Sequence, residues 1–126
     1  MTSARFDALP QVDLACNGRR LGVVVHLADT FASRLSGLLG QPPLPLGMAL
    51  KIEPCSSVHG VGMRFEVEAW FLDASGVVLG VRALAPWRVL AHRGARSVIE
   101  WAPGEARRLH VAVGDRLLQL PLKDAQ

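Results

Sequence analysis

The sequence has no tyrosine, only two cysteines and no long apolar run, and its arginines far outnumber its lysines. Some of these features exclude a class of protein. Two cysteines, Cys16 and Cys55, with no neighbouring cysteine and no zinc-type spacing exclude a framework of several disulfides and a cysteine-based zinc site, and a single cystine would need the two close in space. They read as reduced thiols of a cytosolic protein. No apolar stretch reaches the length of a membrane-spanning helix. Residues 1–10 contain Arg5 and Asp7 and lack an apolar h-region, so no signal peptide is written there. The expected compartment is the cytoplasm, or the periplasm if a leader has been removed. The formal charge is +3 with a pI near 9.5, but the arginines are scattered and only Arg19-Arg20 and Arg107-Arg108 are adjacent. A nucleic-acid face needs a clustered basic stripe with aromatic platforms, so no nucleic-acid partner is expected.

What is present describes a globular chain. The 126 residues are half apolar, spread along the whole length, and suffice for one domain with one core. Val12, Leu14 and Cys16 lead to Asn17-Gly18, and Leu21, Val23, Val25 and Leu27 alternate after it, which predicts a hairpin around a tight primed turn. Asp29 or Thr30 then caps an expected helix whose Phe31, Leu35, Leu38 and Leu39 share one face, and Gly40 ends it. Met48, Leu50 and Ile52 predict a short strand. The main strand runs from Met63 to Asp73, with Met63, Phe65, Val67, Ala69 and Phe71 on the buried face and Arg64, Glu66, Glu68 and Trp70 on the other. A turn at Asp73–Gly76 returns it to a strand over Val77–Leu84, whose run VVLGV predicts a central place. Between Ala85 and Ala95 the pattern dissolves into an irregular basic segment with Trp87. A strand at Ser97–Trp101, a second short helix from Pro103 to Leu109 and a last strand at Leu117–Pro121 complete the chain. About six to eight short strands and two short helices make a β-rich α+β fold: mostly antiparallel strands in a bent sheet or partly closed barrel.

Several stretches, taken in order, carry a family resemblance: RLSGLLG at Arg34–Gly40, then PCSSVHGVGMRFEVEAWFLDASGVVLGV, then Val98-Ile99-Glu100 with Gly104, and Val113-Gly114-Asp115. Together they resemble the domain-of-unknown-function 192 family over residues 21–118. The His-x-x-x-Met spacing of His59 and Met63, followed by Phe71-Leu72-Asp73 and Gly76, is the most specific part. The resemblance implies a small β-rich domain of bacteria and archaea, often behind a signal peptide, and a bacterial source is the expectation. It brings no settled activity. Gly60, Gly62 and Glu68 stand where the family usually has a hydroxyl or amide residue, a bulky residue and an aspartate.

Function, if the domain has a compact site, belongs to the loop from Pro54 to Gly62. Three readings stand there. The favoured one is a nonenzymatic binding or accessory domain, with Cys55, His59, Met63, Arg64, Trp87 and Arg88 as ligand-binding residues. If the two loops lie side by side, Arg64, Arg82, Arg88 and Arg93 would ring a cleft for a small anionic molecule, a carboxylate-bearing peptide or an acidic protein partner. No cofactor is expected on this reading. In the second, Cys55, His59 and Met63 supply thiolate, imidazole and thioether to a soft metal such as Cu(I). In the third, Cys55 is a nucleophile, His59 or another histidine its base, and Glu68 or Glu100 orients the histidine. Neither alternative assigns a complete catalytic signature.

Overall fold

A computed structural model describes residues 9–28, 43–59 and 64–123 of the chain. The expected helix of Phe31–Leu39, and Met63 itself, lie outside the described residues. Ten strands and one short helix are described: β1 (Gln11–Cys16), β2 (Arg19–Arg20), β3 (Val24–Ala28), β4 (Met48–Ile52), β5 (Ser57–His59), β6 (Val67–Leu72), β7 (Val78–Leu84), β8 (Val89–Ala91), β9 (Ser97–Trp101), α1 (Glu105–Leu109) and β10 (Leu117–Leu120). Among the described residues, then, one of the two expected helices is present.

Eight strands form one sheet in the order β10-β1-β3-β4-β9-β6-β7, with β2 paired to β1, while β5 and β8 form a separate ribbon. The pairing is antiparallel except between β3 and β4. The sheet curls until its ends meet. Val77 bridges Arg116, the Val78 amide donates to the Asp115 carbonyl at 2.8 Å, and the Leu117 amide donates to the Gly76 carbonyl at 2.8 Å. The Gly114 amide adds a bond to the Val78 carbonyl at 2.8 Å. Among the described residues the seam is a short stretch, so the fold is a half-barrel, and short strands are kept from exposing two long edges.

Hydrophobic layers on the two faces of the sheet explain the strands' burial. Leu14, Val25, Trp70, Ile99 and Trp101 belong to the first, which α1 joins through Ala106 and Leu109. Leu50, Val67, Ala69, Phe71, Leu84 and Val98 belong to the second. The period-two reading of β6 is therefore half right: Val67, Ala69 and Phe71 face one core, but Trp70 is fully buried in the other, where its ring lies 4.4 Å from that of Trp101. Every residue of β9 is buried, and β9 sits between β4 and β6. Centrality belongs to β9, not β7. The apolar start of β7 is explained by the seam, which covers Val78, whereas Arg82 and Ala83 further along are exposed.

Glu68, placed by alternation on a polar face, has a structural task. Its carboxylate accepts the backbone N–H groups of Gly104 at 2.9 Å and Ala106 at 2.7 Å, and the Trp70 indole N–H at 2.8 Å. The N-cap residue of α1, Gly104, offers no side-chain cap of its own, so a carboxylate from β6 takes that role.

Candidate functional site

The segment from Pro54 to His59 and the irregular segment from Ala85 to Ala95 do lie side by side. β5 and β8 pair antiparallel, with Ser57 opposite Ala91, Val58 opposite Leu90 and His59 opposite Val89. The His92 amide also donates to the Ser56 carbonyl at 3.1 Å. Alternation along so short a ribbon sorts its side chains cleanly. Val58 and Leu90 turn into the second core, while Ser57, His59, Val89 and Ala91 are exposed. The ribbon is tied to the main sheet through Cys55, whose amide donates to the Arg96 carbonyl at 2.8 Å, and through Arg96, whose amide donates to the Leu72 carbonyl at 2.7 Å. His92 lies over β7 so closely that a methyl group at Gly80 would come within 2.9 Å of its ring.

Two tight turns bracket β8. In the first, Ala85-Pro86-Trp87-Arg88, the Arg88 amide donates to the Ala85 carbonyl at 3.2 Å and Trp87 has φ +66°. Proline at the second position excludes the primed turns, and a positive φ at the third leaves type II, whose third position favours glycine. Trp87 occupies it instead, with 68% of its surface exposed. Val89 is equally exposed. Neither packing nor backbone preference explains a tryptophan at that position.

Charge surrounds this patch. Arg88 precedes β8 and Arg93 follows it, both exposed. Arg64 is exposed at the same end of the β6–β7 hairpin as Trp87, just beyond the last pair, Val67–Leu84. Arg82 stands on β7 opposite Ala69, outside the ribbon. None of these four arginines makes an ion pair or side-chain hydrogen bond among the described residues. Glu53, the acid near this end of the chain, is taken up with Lys51 and Arg96.

The remaining sequence candidates have structural surroundings of their own. Cys55 is half-buried against the second core, and its thiol donates to the Ser57 carbonyl at 2.9 Å. Among the described residues no cluster of three His, Cys, Asp or Glu side chains is arranged to hold a metal. Glu68 is engaged at α1, and Glu66 is exposed.

Glu100 is a buried acid of a different kind. It is 4% exposed on β9, opposite Leu50 of β4 and Ala69 of β6, with no hydrogen bond or ion pair from any described residue. Burial in this apolar layer pushes its carboxyl up to about 7. Continuing the same row, His26 of β3 stands opposite Leu50 and is also buried, its Nδ1 3.3 Å from the Ala49 carbonyl oxygen. His26 is hidden in the sequence because it occupies a slot that strict alternation gives to solvent. Other buried acids are paired: Asp13 with Arg20, and Glu105 with Arg108.

The comparisons agree with this architecture. Residues 13–119 match the DUF192 family, described as an uncharacterized ACR. A UPF0127 protein of Pyrococcus furiosus is 34% identical over 104 residues, 79% of this chain and 90% of its own length. Another, from Pyrococcus abyssi, is 34% identical over 97 residues, 74% of this chain and 83% of its own. These relatives are archaeal and give the expected bacterial source no support. Among solved structures, a Sinorhizobium meliloti protein described as a candidate transcription regulator superposes with a TM-score of 0.78 at 18% identity, covering 88% of this chain and 95% of that one. A protein of unknown function from Novosphingobium aromaticivorans gives 0.72 at 20% identity, over 87% and 84%. At such identities the likeness is one of fold. No helix among the described residues is long and apolar enough to cross a membrane. With the family match spanning most of its length, this chain belongs to the uncharacterised DUF192 family.

Proposed function

We propose that this chain is a nonenzymatic binding domain whose site is the outward face of the β5–β8 ribbon with its flanking loops, and whose ligand carries negative charge. His59, Arg64, Trp87 and Arg88 are the contact residues; Cys55 braces the loop from within. One observation carries the reading: Trp87 is held two-thirds exposed at the third position of a type II turn. Large exposed aromatics next to guanidinium groups that lack partners are the residue types that dominate binding energy at recognition surfaces. Ordering Arg64, Arg88 and Arg93 on a carboxylate or phosphate would supply the charge-assisted bonds they lack among the described residues.

The experiment is a titration followed by amide chemical shifts, using citrate, inorganic phosphate and acidic peptides in turn. Shifts concentrated at residues 57–59 and 87–93 are expected with at least one anionic probe. Shifts scattered over the sheet, or confined to another face, would defeat the reading.

A further inference from the structure

We infer that the occupant of the ribbon is another protein: an acidic segment that presents an apolar side chain to Trp87 and Val89 and its carboxylates to Arg64, Arg88 and Arg93. This rests on the binding reading above and names its partner. The surface relief decides between a small molecule and a protein. Small ligands are held in concavities that cover most of their surface, around a few convergent polar groups. Here Trp87 and Val89 each keep 68% of their surface exposed: Val89 stands on the outer face of a two-stranded ribbon whose other face is spent on the core, and Trp87 sits in the turn that leads into it. They protrude, and a protruding aromatic needs a partner that brings its own hollow. An apolar centre of Trp87, Val89 and Ala91 with arginines before and after β8 has the anatomy of a protein interface, with an uncharged core and a polar rim. The rim is cationic and its arginines are unpaired among the described residues, so the complementary rim is acidic.

The test is selection of a displayed random peptide library on the intact chain, with counter-selection on the double variant Trp87→Gly, Arg88→Ala. Enriched peptides are expected to carry net negative charge around an apolar residue. The synthetic consensus peptide should lose about tenfold or more in affinity to each single variant. It should also weaken several-fold as salt screens the rim. Val89→Asp, a change at an exposed position, provides a second variant that should repel the same peptide without touching the turn. A neutral or basic consensus, or equal enrichment on the double variant, overturns the inference.

Two further probes separate its failure from failure of the reading beneath it. If citrate or inorganic phosphate shifts the ribbon amides and no peptide is enriched, the partner inference falls and the anion site stands. If vesicles of phosphatidylcholine with phosphatidylserine sediment the wild-type chain but not Trp87→Gly, a membrane replaces the protein partner. No response at the ribbon to any probe removes both.

Discussion

The amide of Arg88 donates to the carbonyl of Ala85, and this one bond holds the residue between Pro86 and Arg88 in left-handed backbone. That residue is Trp87. For any side chain with a Cβ the conformation costs on the order of 1–2 kcal/mol, while glycine adopts it freely. Trp87→Gly relieves that cost but makes the unfolded chain more flexible, an opposing effect of about 1 kcal/mol. Its stability should therefore stay within about 1 kcal/mol of wild type by denaturant unfolding. Trp70 and Trp101 are fully buried, so quenching of tryptophan fluorescence by iodide should nearly vanish in the variant. A large loss of stability would mean that Trp87 is structural and would remove the main support for the ribbon as a binding face.

Removing the Glu68 side chain should loosen α1 and both buried tryptophans together. Glu68→Ala leaves the amides of Gly104 and Ala106 and the indole of Trp70 without their acceptor. The expected cost is about 1–3 kcal/mol, accompanied by weaker near-ultraviolet circular dichroism from the Trp70–Trp101 pair. Glu68→Gln, with one acceptor oxygen for three donors, should fall between the two. Identical melting curves for Glu68→Ala and wild type would show that water caps the helix equally well.

Much of the fold is legible in the sequence because strand alternation and turn chemistry are local. Asn17-Gly18 marks the turn between β1 and β2, Asp73–Gly76 turns β6 into β7, and Ser97–Trp101 is a strand with the bounds read from its residues. What escapes a local reading is long-range. Trp70 and Glu68 look outward by alternation, but a helix nearly forty residues later in the chain covers that face. The apolar start of β7 mimics a central strand because the Asp115–Leu117 segment closes over it. The 54–59 and 85–95 loops show their chemistry in the residues alone, but their adjacency is legible only as a condition, since three-residue strands carry too little periodicity to announce a pairing. Glu100 stands out by its type, while its isolation depends on β4 and β6 bringing Leu50 and Ala69 to either side.

The seam of the half-barrel should be most sensitive at Gly76. A Cβ built there lies 2.4 Å from the carbonyl oxygen of Leu117, and φ is +89°. The obstructing atom is backbone within the seam, so the clash can be relieved only by separating β10 from the start of β7. Gly114 gives the control, because its φ is +97° with nothing within 4 Å of the added methyl. Gly114→Ala should cost about 1–2 kcal/mol, the conformational cost alone. Gly76→Ala should cost roughly 3 kcal/mol or more, as strained backbone and overpacking add. Hydrogen exchange at the amides of Val78 and Leu117 should accelerate in Gly76→Ala beyond the global loss. Equal costs for the two variants would show that the seam contributes little to closing the sheet.

Glu100 makes stability fall as pH rises, opposite to the usual effect of a carboxylate. Burial lifts its folded value from 4.5 to about 7, so between those limits the folded chain holds a proton that the unfolded chain has released. The stability is fully present below about pH 4.5 and is lost as pH climbs through about 7. The full change is on the order of 3 kcal/mol, since each tenfold difference in proton affinity between the folded and unfolded chain is worth about 1.4 kcal/mol. Asp73 and Asp115 act the other way: their hydrogen bonds lower them from 3.8, so what they contribute is lost only in more acidic solution. Glu105 adds the same sense. Burial opposes its charge, but the bonds from Arg108 and Gly47 prevail and hold it below 4.5. The window between about pH 5 and 7 therefore reports Glu100 against a nearly flat background of the other shifted carboxylates. Glu100→Gln should remove the fall in stability that Glu100 contributes across that window and exceed the wild type in stability at about pH 8, because the amide keeps the shape of the neutral acid without a charge to desolvate. Denaturant unfolding at a series of pH values decides the matter, and a wild-type slope that survives in Glu100→Gln would assign it to another group.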